Sequence, residues 1–341
     1  MKIKKSQGGL SAVWLIILII LPIAMSLASL CIGRIAVSPS EVISSAIANI
    51  LGGEKLAPLI ETTLWRLRLP RILLALLAGA GLSVSGCAFQ SLFSNPLATP
   101  DTLGVASGAS FGAALGLIFG FGILGVQVMS FLLGITAVVL TVITGIGKGR
   151  QGMSGVVLAG IMIGSLFSAL ISLVKFTADT ESELPAITYW LMGSLDSASY
   201  RTLMLGAPSI IIGILVLFLI RWRMNLLPLS EEEATASGVN IKLLRAVTIL
   251  CATMITASCV SMCGQVGWVG LLVPHICRMK FGNNHLRLVP ASILFGAAFM
   301  VAVDTIARSV TASSLPISIL TAIIGAPFFI VLMRKSDGFT G

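Results

Sequence analysis

Residues 11–32 read Ser-Ala-Val-Trp-Leu-Ile-Ile-Leu-Ile-Ile-Leu-Pro-Ile-Ala-Met-Ser-Leu-Ala-Ser-Leu-Cys-Ile, a run of about 22 residues without a single charge. At ~1.5 Å per residue, a helix of that length crosses the ~30 Å hydrocarbon layer of a bilayer. The basic start Met1-Lys2-Ile3-Lys4-Lys5 precedes it, which is also how a secretory signal begins. The apolar run is too long for a signal's core, and no small-residue cleavage site follows it. It therefore reads as the first of several membrane spans, with the N-terminus in the cytosol.

The pattern recurs along the chain. Of 341 residues, 56% are hydrophobic and 10% are charged, and mean hydropathy is +1.04, whereas soluble domains carry about 25% charged residues. Such a composition excludes a water-soluble fold, and the absence of period-2 alternation in the apolar runs excludes strands. Runs near 12–33, 70–93, 103–120, 126–147, 153–175, 203–221, 243–262, 268–280, 286–306 and 316–333 predict an all-α polytopic membrane bundle, a single transmembrane domain over 1–341 with about ten transmembrane helices. The runs at 103–120 and 268–280 are short, rich in glycine and bounded or broken by Pro100 and Pro274. Hydropathy alone thus leaves eight to ten spans. Interruptions at corresponding points of two halves suggest an internal two-half repeat with a substrate path between the halves, although no repeat is visible residue by residue.

Charge placement sets the orientation. The formal net charge is +9 and the pI 9.6, yet the basic residues lie at the ends of apolar runs. They read as membrane anchors, not as a nucleic-acid surface. With ten spans, 14 of the 22 Lys and Arg fall on the cytosolic side, as the positive-inside rule requires, and both termini are cytosolic. Arg66, Arg68 and Arg71 cluster on the opposite side, against the rule. Trp65 and Trp222, each beside arginines, fit interfacial belts at the two faces.

Other functional classes find little support. The six cysteines lie in or beside apolar runs without C-x-x-C spacing, and read as small buried hydrophobes. His275 and His285 stand ten residues apart across Pro274 and Gly282, which suits satisfied or interfacial histidines better than a metal site. No cofactor, metal or catalytic residue is expected. An intramembrane serine protease is the rival from another class, because Gly152-Met-Ser-Gly155 and Gly108-Ala-Ser-Phe-Gly112 match short serine-hydrolase strings. Abundant glycine makes chance matches common, and only the two histidines offer a base. A gradient-driven transporter should keep carboxylates at mid-membrane. Only Asp304 lies well inside an apolar run, with Arg308 one turn later to pair with it. Thr144-Gly-Ile-Gly-Lys-Gly149 lacks the spacing and the Ser or Thr of a phosphate loop, so the chain does not bind ATP there and the energy must come from a separate ATPase.

The most acidic stretch is Asn225-Leu-Leu-Pro-Leu-Ser-Glu-Glu-Glu-Ala-Thr-Ala-Ser-Gly-Val-Asn240. Ser230 followed by Glu233 is a capping box, Glu231 and Glu232 join Glu233 at the positive end of the helix dipole, and Gly238 suits the stop. This predicts a helix of about seven residues, too short to persist alone. A solvated turn and a helix that inserts into a partner remain equally open on capping signals.

A resemblance decides between them. Arg68-Leu-Pro-Arg71, Gly79-Ala-Gly-Leu82, Ser85-Gly86, Gln90, Asn95-Pro-Leu-Ala98, Pro100, Leu103-Gly104 and Gly108-Ala109 resemble the first signature of the iron-chelate and cobalamin permease family. Gly267 to His275, Arg278, Gly282, His285 and Pro290 resemble its second, and Leu315-Pro316 with Thr321 to Pro327 resembles its last span. Trp268, Asn284 and Ser314 depart from the usual residues. The resemblance runs from about Arg68 to Arg334 and implies the membrane-spanning subunit of a type II ABC importer. Its cargo would be an iron–siderophore-type chelate, or alternatively cobalamin or haem. It implies an ATP-binding cassette subunit, an extracytoplasmic substrate-binding protein and a second permease copy or paralogue as partners, in a bacterial or archaeal cytoplasmic membrane. It assigns the loop at about 225–241, with Ser230, Glu231, Glu232, Glu233, Ala234 and Gly238, to coupling with the ATPase. Arg68, Arg71 and Arg308 correspond to arginines that face glutamates of the binding protein.

Overall fold

A computed structural model describes residues 9–52, 56–145, 153–230, 233, 236–311 and 314–335. Among them no strand occurs, and the chain is a helical bundle. Its main helices are α1 (Ala12–Cys31), α2 (Pro39–Leu51), α3 (Leu69–Leu92), α4 (Val105–Ile118), α5 (Ile123–Gly145), α6 (Met153–Thr177), α7 (Glu183–Leu191), α8 (Tyr200–Ile220), α9 (Ile241–Cys263), α10 (Val269–Phe281), α11 (His285–Val310) and α12 (Ile317–Lys335). Each of the ten expected spans is helical, with ends shifted by a few residues. Among the described residues, seven helices are long and apolar enough to cross a membrane, while Val105–Ile118 and Ile317–Val331 are shorter apolar segments. Two amphipathic pieces escape hydropathy: α2, opened by a Ser38–Glu41 capping box, and α7. A π-helical stretch, Thr62–Arg68, leads straight into α3.

The centre of the bundle is built from α3, α9 and α11, whose faces are almost continuously buried. Lipid offers no hydrophobic drive for one apolar helix to pack on another, so close approach has to come from small residues. The sequence supplies them where the backbones cross. A Cβ on Gly79 would collide with the Gly296 carbonyl on α11, and one on Gly86 would collide with the Gly270 carbonyl on α10. In contrast, α1 buries only Leu18, Pro22 and Ser29. It lies at the periphery, with Trp14 edge-on to Phe281 at 5.6 Å.

Of the two short runs, the first is interrupted where Pro100 and Gly104 stand, whereas Pro274, expected to break the second, lies inside the continuous helix Val269–Phe281, and the irregular backbone comes earlier, at Trp268. After α3 the chain turns through Ser94 (φ 49°) and a 3-10 turn, Pro100–Leu103, into Gly104 (φ 74°), from which α4 starts. Before α10, Trp268 takes φ 68°, a left-handed conformation that is costly for a bulky residue. Its ring lies over Gly325 of α12, where a side chain would overlap it.

Candidate functional site

Three regions carry polar chemistry: one at each end of the bundle and a cleft between them. At the end where α3 begins and α11 finishes, Arg34, Arg68, Arg71 and Arg308 line a pocket of about 330 Å³ with Asp196 and Ser314. The three arginines singled out by the resemblance are thus brought together. They are also engaged within the chain. Arg68, only 5% exposed, donates from Nη1 to the Leu30 carbonyl and from Nη2 to the Ile35 carbonyl, both at 2.5 Å. Arg71 donates from Nε to Asp304 Oδ1 at 2.8 Å and from Nη1 to Asp196. Arg308 donates from Nη2 to the Ser29 carbonyl and to Ser29 Oγ, the latter at 2.7 Å. A guanidinium has five N–H donors, so each keeps some to offer elsewhere. Exposed Arg34 donates to the Thr311 carbonyl at 3.2 Å.

Asp304 is 1% exposed and acts as the hub. Its main partner is Arg71, far away in sequence. The expected neighbour Arg308 stands at 3.7 Å, an ion pair without a hydrogen bond. Asp196, in the segment between α7 and α8, accepts from Tyr189 Oη at 2.8 Å as well as from Arg71. Burial would push its carboxyl up, but Arg71 and the Tyr189 hydroxyl outweigh this and hold it below the usual carboxylate range. Asp196 and Arg34 carry no sequence signal, because neither sits in a periodic run or a motif.

At the opposite end lies the loop between α8 and α9. The predicted capping box is formed: Glu233 N–H donates to Ser230 Oγ at 3.3 Å, and Glu233 Oε2 accepts from Ser230 N at 3.0 Å and from Ser230 Oγ at 2.9 Å. The backbone and side-chain bonds to Ser230 hold the Glu233 carboxyl below its ordinary range. Ser237 N–H reaches back to the Glu233 carbonyl at 3.2 Å, and Gly238 takes φ 73°. Glu231, Glu232 and Ala234 lie outside the described residues. The segment's root is anchored by Met224 and Leu227, both fully buried, and Asn240 caps α9 through Leu243 N–H at 3.0 Å.

Between the ends, a cleft of about 670 Å³ is bordered by Thr99, Asp101, Thr256, Gln265, Trp268 and Ser318. No Lys or Arg is among its described lining residues. His275 packs against Phe328 and Phe329, and among the described residues its buried Nδ1 has no hydrogen-bond partner. His285 bonds to Ser91 and Asn225. That is the connectivity of a Ser–His–Asn triad, but it is buried in the bundle, where the Ser91 hydroxyl also lies 2.9 Å from the Cys87 carbonyl.

Helices long enough to span a bilayer, an interrupted central cleft and polar stations at both ends define a multi-pass membrane transport subunit. The chain belongs to the FecCD transport family, which it matches over residues 17–335. It is 39% identical over 318 residues to the molybdate import system permease protein MolB of Haemophilus influenzae, covering 93% of this chain and 94% of that protein. It is 36% identical over 290 residues to a Helicobacter pylori protein named as an iron chelatin transport system permease, covering 85% and 87%. In three dimensions it superposes on a metal-chelate-type ABC transporter solved in an inward-facing conformation, with TM-score 0.84, 38% identity, and coverage of 94% of this chain and 99% of that one. The chain is therefore an ABC importer permease, a transport subunit and not an enzyme, and ATP is hydrolysed in a separate subunit.

Proposed function

We propose that this permease translocates an iron–siderophore-type chelate across a bacterial or archaeal cytoplasmic membrane, with both termini cytosolic. The cargo arrives from an extracytoplasmic binding protein that docks over the arginine pocket, and the Ser230–Gly238 segment meets the ATPase inside. The observation that carries the choice of cargo is the central cleft. About 670 Å³ is the size of a small-molecule site, and its described walls are apolar, hydroxyl and amide groups with one carboxylate, Asp101. A bare oxyanion such as molybdate would want cationic side chains there, and no Lys or Arg is among the described lining residues. A metal wrapped in an organic ligand presents apolar and neutral polar surface, which these walls suit. Cobalamin and haem share that property, and relative uptake separates them.

The docking end supports the same reading. Arg68, Arg71 and Arg308 frame a mouth whose spare N–H groups suit glutamates, and clustered arginines set orientation and association rate more than affinity. The test is uptake by proteoliposomes holding the permease with its ATPase and binding protein. ATP-dependent accumulation of an iron–siderophore, with molybdate excluded, is expected. The permease alone should move nothing under a proton or sodium gradient. Molybdate uptake without chelate uptake refutes the cargo, and gradient-driven uptake by the lone chain refutes the energetics.

A further inference from the structure

One buried polar junction joins the root of the coupling segment to the core of the bundle. Asn225 lies in the 3-10 turn Arg223–Leu226, between α8 and the capped segment. Its Nδ2 donates to the Trp222 carbonyl at 3.1 Å and to Asn284 Oδ1 at 3.3 Å. Those two acceptors orient the amide, so Oδ1 faces α11. There it accepts from the His285 backbone N–H at 2.9 Å and stands 2.9 Å from His285 Nδ1. An amide oxygen only accepts, so Nδ1 carries the ring proton and Nε2 of the neutral imidazole is an acceptor. The group facing Nε2 is the Ser91 hydroxyl, at the penultimate residue of α3, whose one proton is shared between Nε2 and the Cys87 carbonyl. One imidazole, 5% exposed, thus ties three elements together.

The pair it grips, α3 and α11, runs to the other end of the protein. From His285 to Asp304 along α11, and from Ser91 to Arg71 along α3, the distance at ~1.5 Å per residue is about 28–30 Å. At the far end Arg71 and Asp304 pair at 2.8 Å. Midway the two backbones touch at Gly79 and Gly296, with Ser83 filling the space where a side chain at 296 would go. The two helices are fastened at both ends and in the middle, so a displacement applied at one end moves the other.

We infer that Asn225, His285 and Ser91 form the junction through which movement of the coupling segment reaches the α3–α11 pair, and through it the arginine pocket. This rests on the reading of the Ser230–Gly238 segment as the ATPase contact. Coupling between two sites is reciprocal in free energy. Docking of the binding protein at the arginine pocket therefore biases the ATPase contact through the same three residues, which act as positioning residues and touch neither cargo nor nucleotide.

The test uses the full complex in nanodiscs and reads the ratio of binding-protein-stimulated to basal ATP hydrolysis. Asn225→Leu, His285→Leu and Ser91→Ala should each lower that ratio at least fivefold, with basal hydrolysis and complex assembly within twofold of wild type. Ser91→Thr, which keeps the hydroxyl, and Asn225→Asp, which keeps the acceptor facing the ring, should retain more than half of the stimulation. The Asn225→Leu/His285→Leu double variant should be no worse than either single change, because the residues work as one unit. Thr248→Ala, which deletes another buried hydroxyl bonded to the Leu244 carbonyl at 2.7 Å, should leave the ratio unchanged and separates the junction from loss of any buried hydroxyl. Wild-type stimulation in His285→Leu overturns the inference, as does a loss equalled by Thr248→Ala. If the leucine variants fail to assemble, Ser91→Ala decides alone, and an unchanged ratio there overturns it. Should the Ser230→Ala/Glu233→Ala/Gly238→Pro triple variant keep ATPase binding and uptake, the coupling reading itself fails. Should that triple variant uncouple while Ser91→Ala and His285→Leu do not, only the junction fails.

Discussion

Replacing Asp304 with asparagine removes one buried negative charge from between two partly buried guanidinium groups. At an effective dielectric of about 20, unit charges roughly 3–4 Å apart attract by about 4–6 kcal/mol, and Asp304 has Arg71 at 2.8 Å and Arg308 at 3.7 Å. Desolvation of the three groups cancels much of that gain. The cost of breaking the cluster is nevertheless large, because partly buried cations lose their buried counter-charge, typically about 3–5 kcal/mol. Asparagine keeps an acceptor for Arg71, which also retains Asp196, so the change should fall near the lower bound, about 3 kcal/mol. Asp304→Leu should fall near the upper. Equilibrium unfolding in mixed micelles with increasing SDS measures this, and a double-mutant cycle with Arg71→Gln isolates the pair. A coupling energy of about 2–3 kcal/mol is expected for Arg71 with Asp304. For Arg308 with Asp304 it should be under about 1 kcal/mol, since that pair lacks a hydrogen bond. A single-variant cost below about 1 kcal/mol, or no coupling in the first cycle, would refute the claim that this cluster fastens α3 to α11.

Gly86→Ala places a methyl group on the Gly270 carbonyl, where only backbone movement gives relief, so folded protein recovered in detergent should fall by at least the 1–3 kcal/mol usual for overpacking. Gly238→Ala has open space around it, and its cost should be limited to left-handed strain of about 1–2 kcal/mol. The Glu233 cap should fail in acid: its carboxyl titrates below the ordinary value, so the stabilisation is present above the unfolded-state pKa and is lost as pH falls through the folded one. Hydrogen exchange of the Glu233 amide, corrected for intrinsic rate, should show protection that disappears in that window and is pH-independent in Ser230→Ala. Arg34→Glu at the pocket rim should slow binding-protein association at low salt without moving the thermal midpoint, whereas Arg68→Glu should lower the midpoint too. Equal effects of both on stability would contradict the different burial of these two side chains.

Legibility in the sequence followed the range of each interaction. The ten apolar runs and the Ser230–Glu233 box depend on residues within a few positions of one another, and hydropathy or S-x-x-E spacing exposes them directly. The helix stop at Gly238 is of the same kind. The partner of Asp304 was not legible, since Arg308 is its neighbour by helical spacing while Arg71 reaches it only after α3 and α11 pack. Asn225 looked like part of a loop, because its worth comes from His285 on another helix. Trp268 stood out only as a departure from the family pattern; its left-handed backbone emerges from packing over Gly325. The amphipathic α2 and α7 were missed because, at 13 and 9 residues, each is too short to cross a bilayer.

The end of α1 is completed by residues far along the chain. The C-terminal end of α1 leaves carbonyls without intrahelical partners and carries no basic residue of its own in the last turn. Two distant arginines supply the missing donors and the positive charge favoured at that helix end: Arg68 reaches the Leu30 carbonyl across 38 positions and Arg308 reaches Ser29 across 279. At a translation rate of roughly 5–20 residues per second, a newly inserted α1 waits on the order of tens of seconds for Arg308 to emerge. During that wait a helix with few buried residues stands in lipid with part of its polar end unserved. Chains interrupted before α11 should therefore present α1 as a loosely held segment open to membrane proteases, and completion of α11 is the step that withdraws it from them.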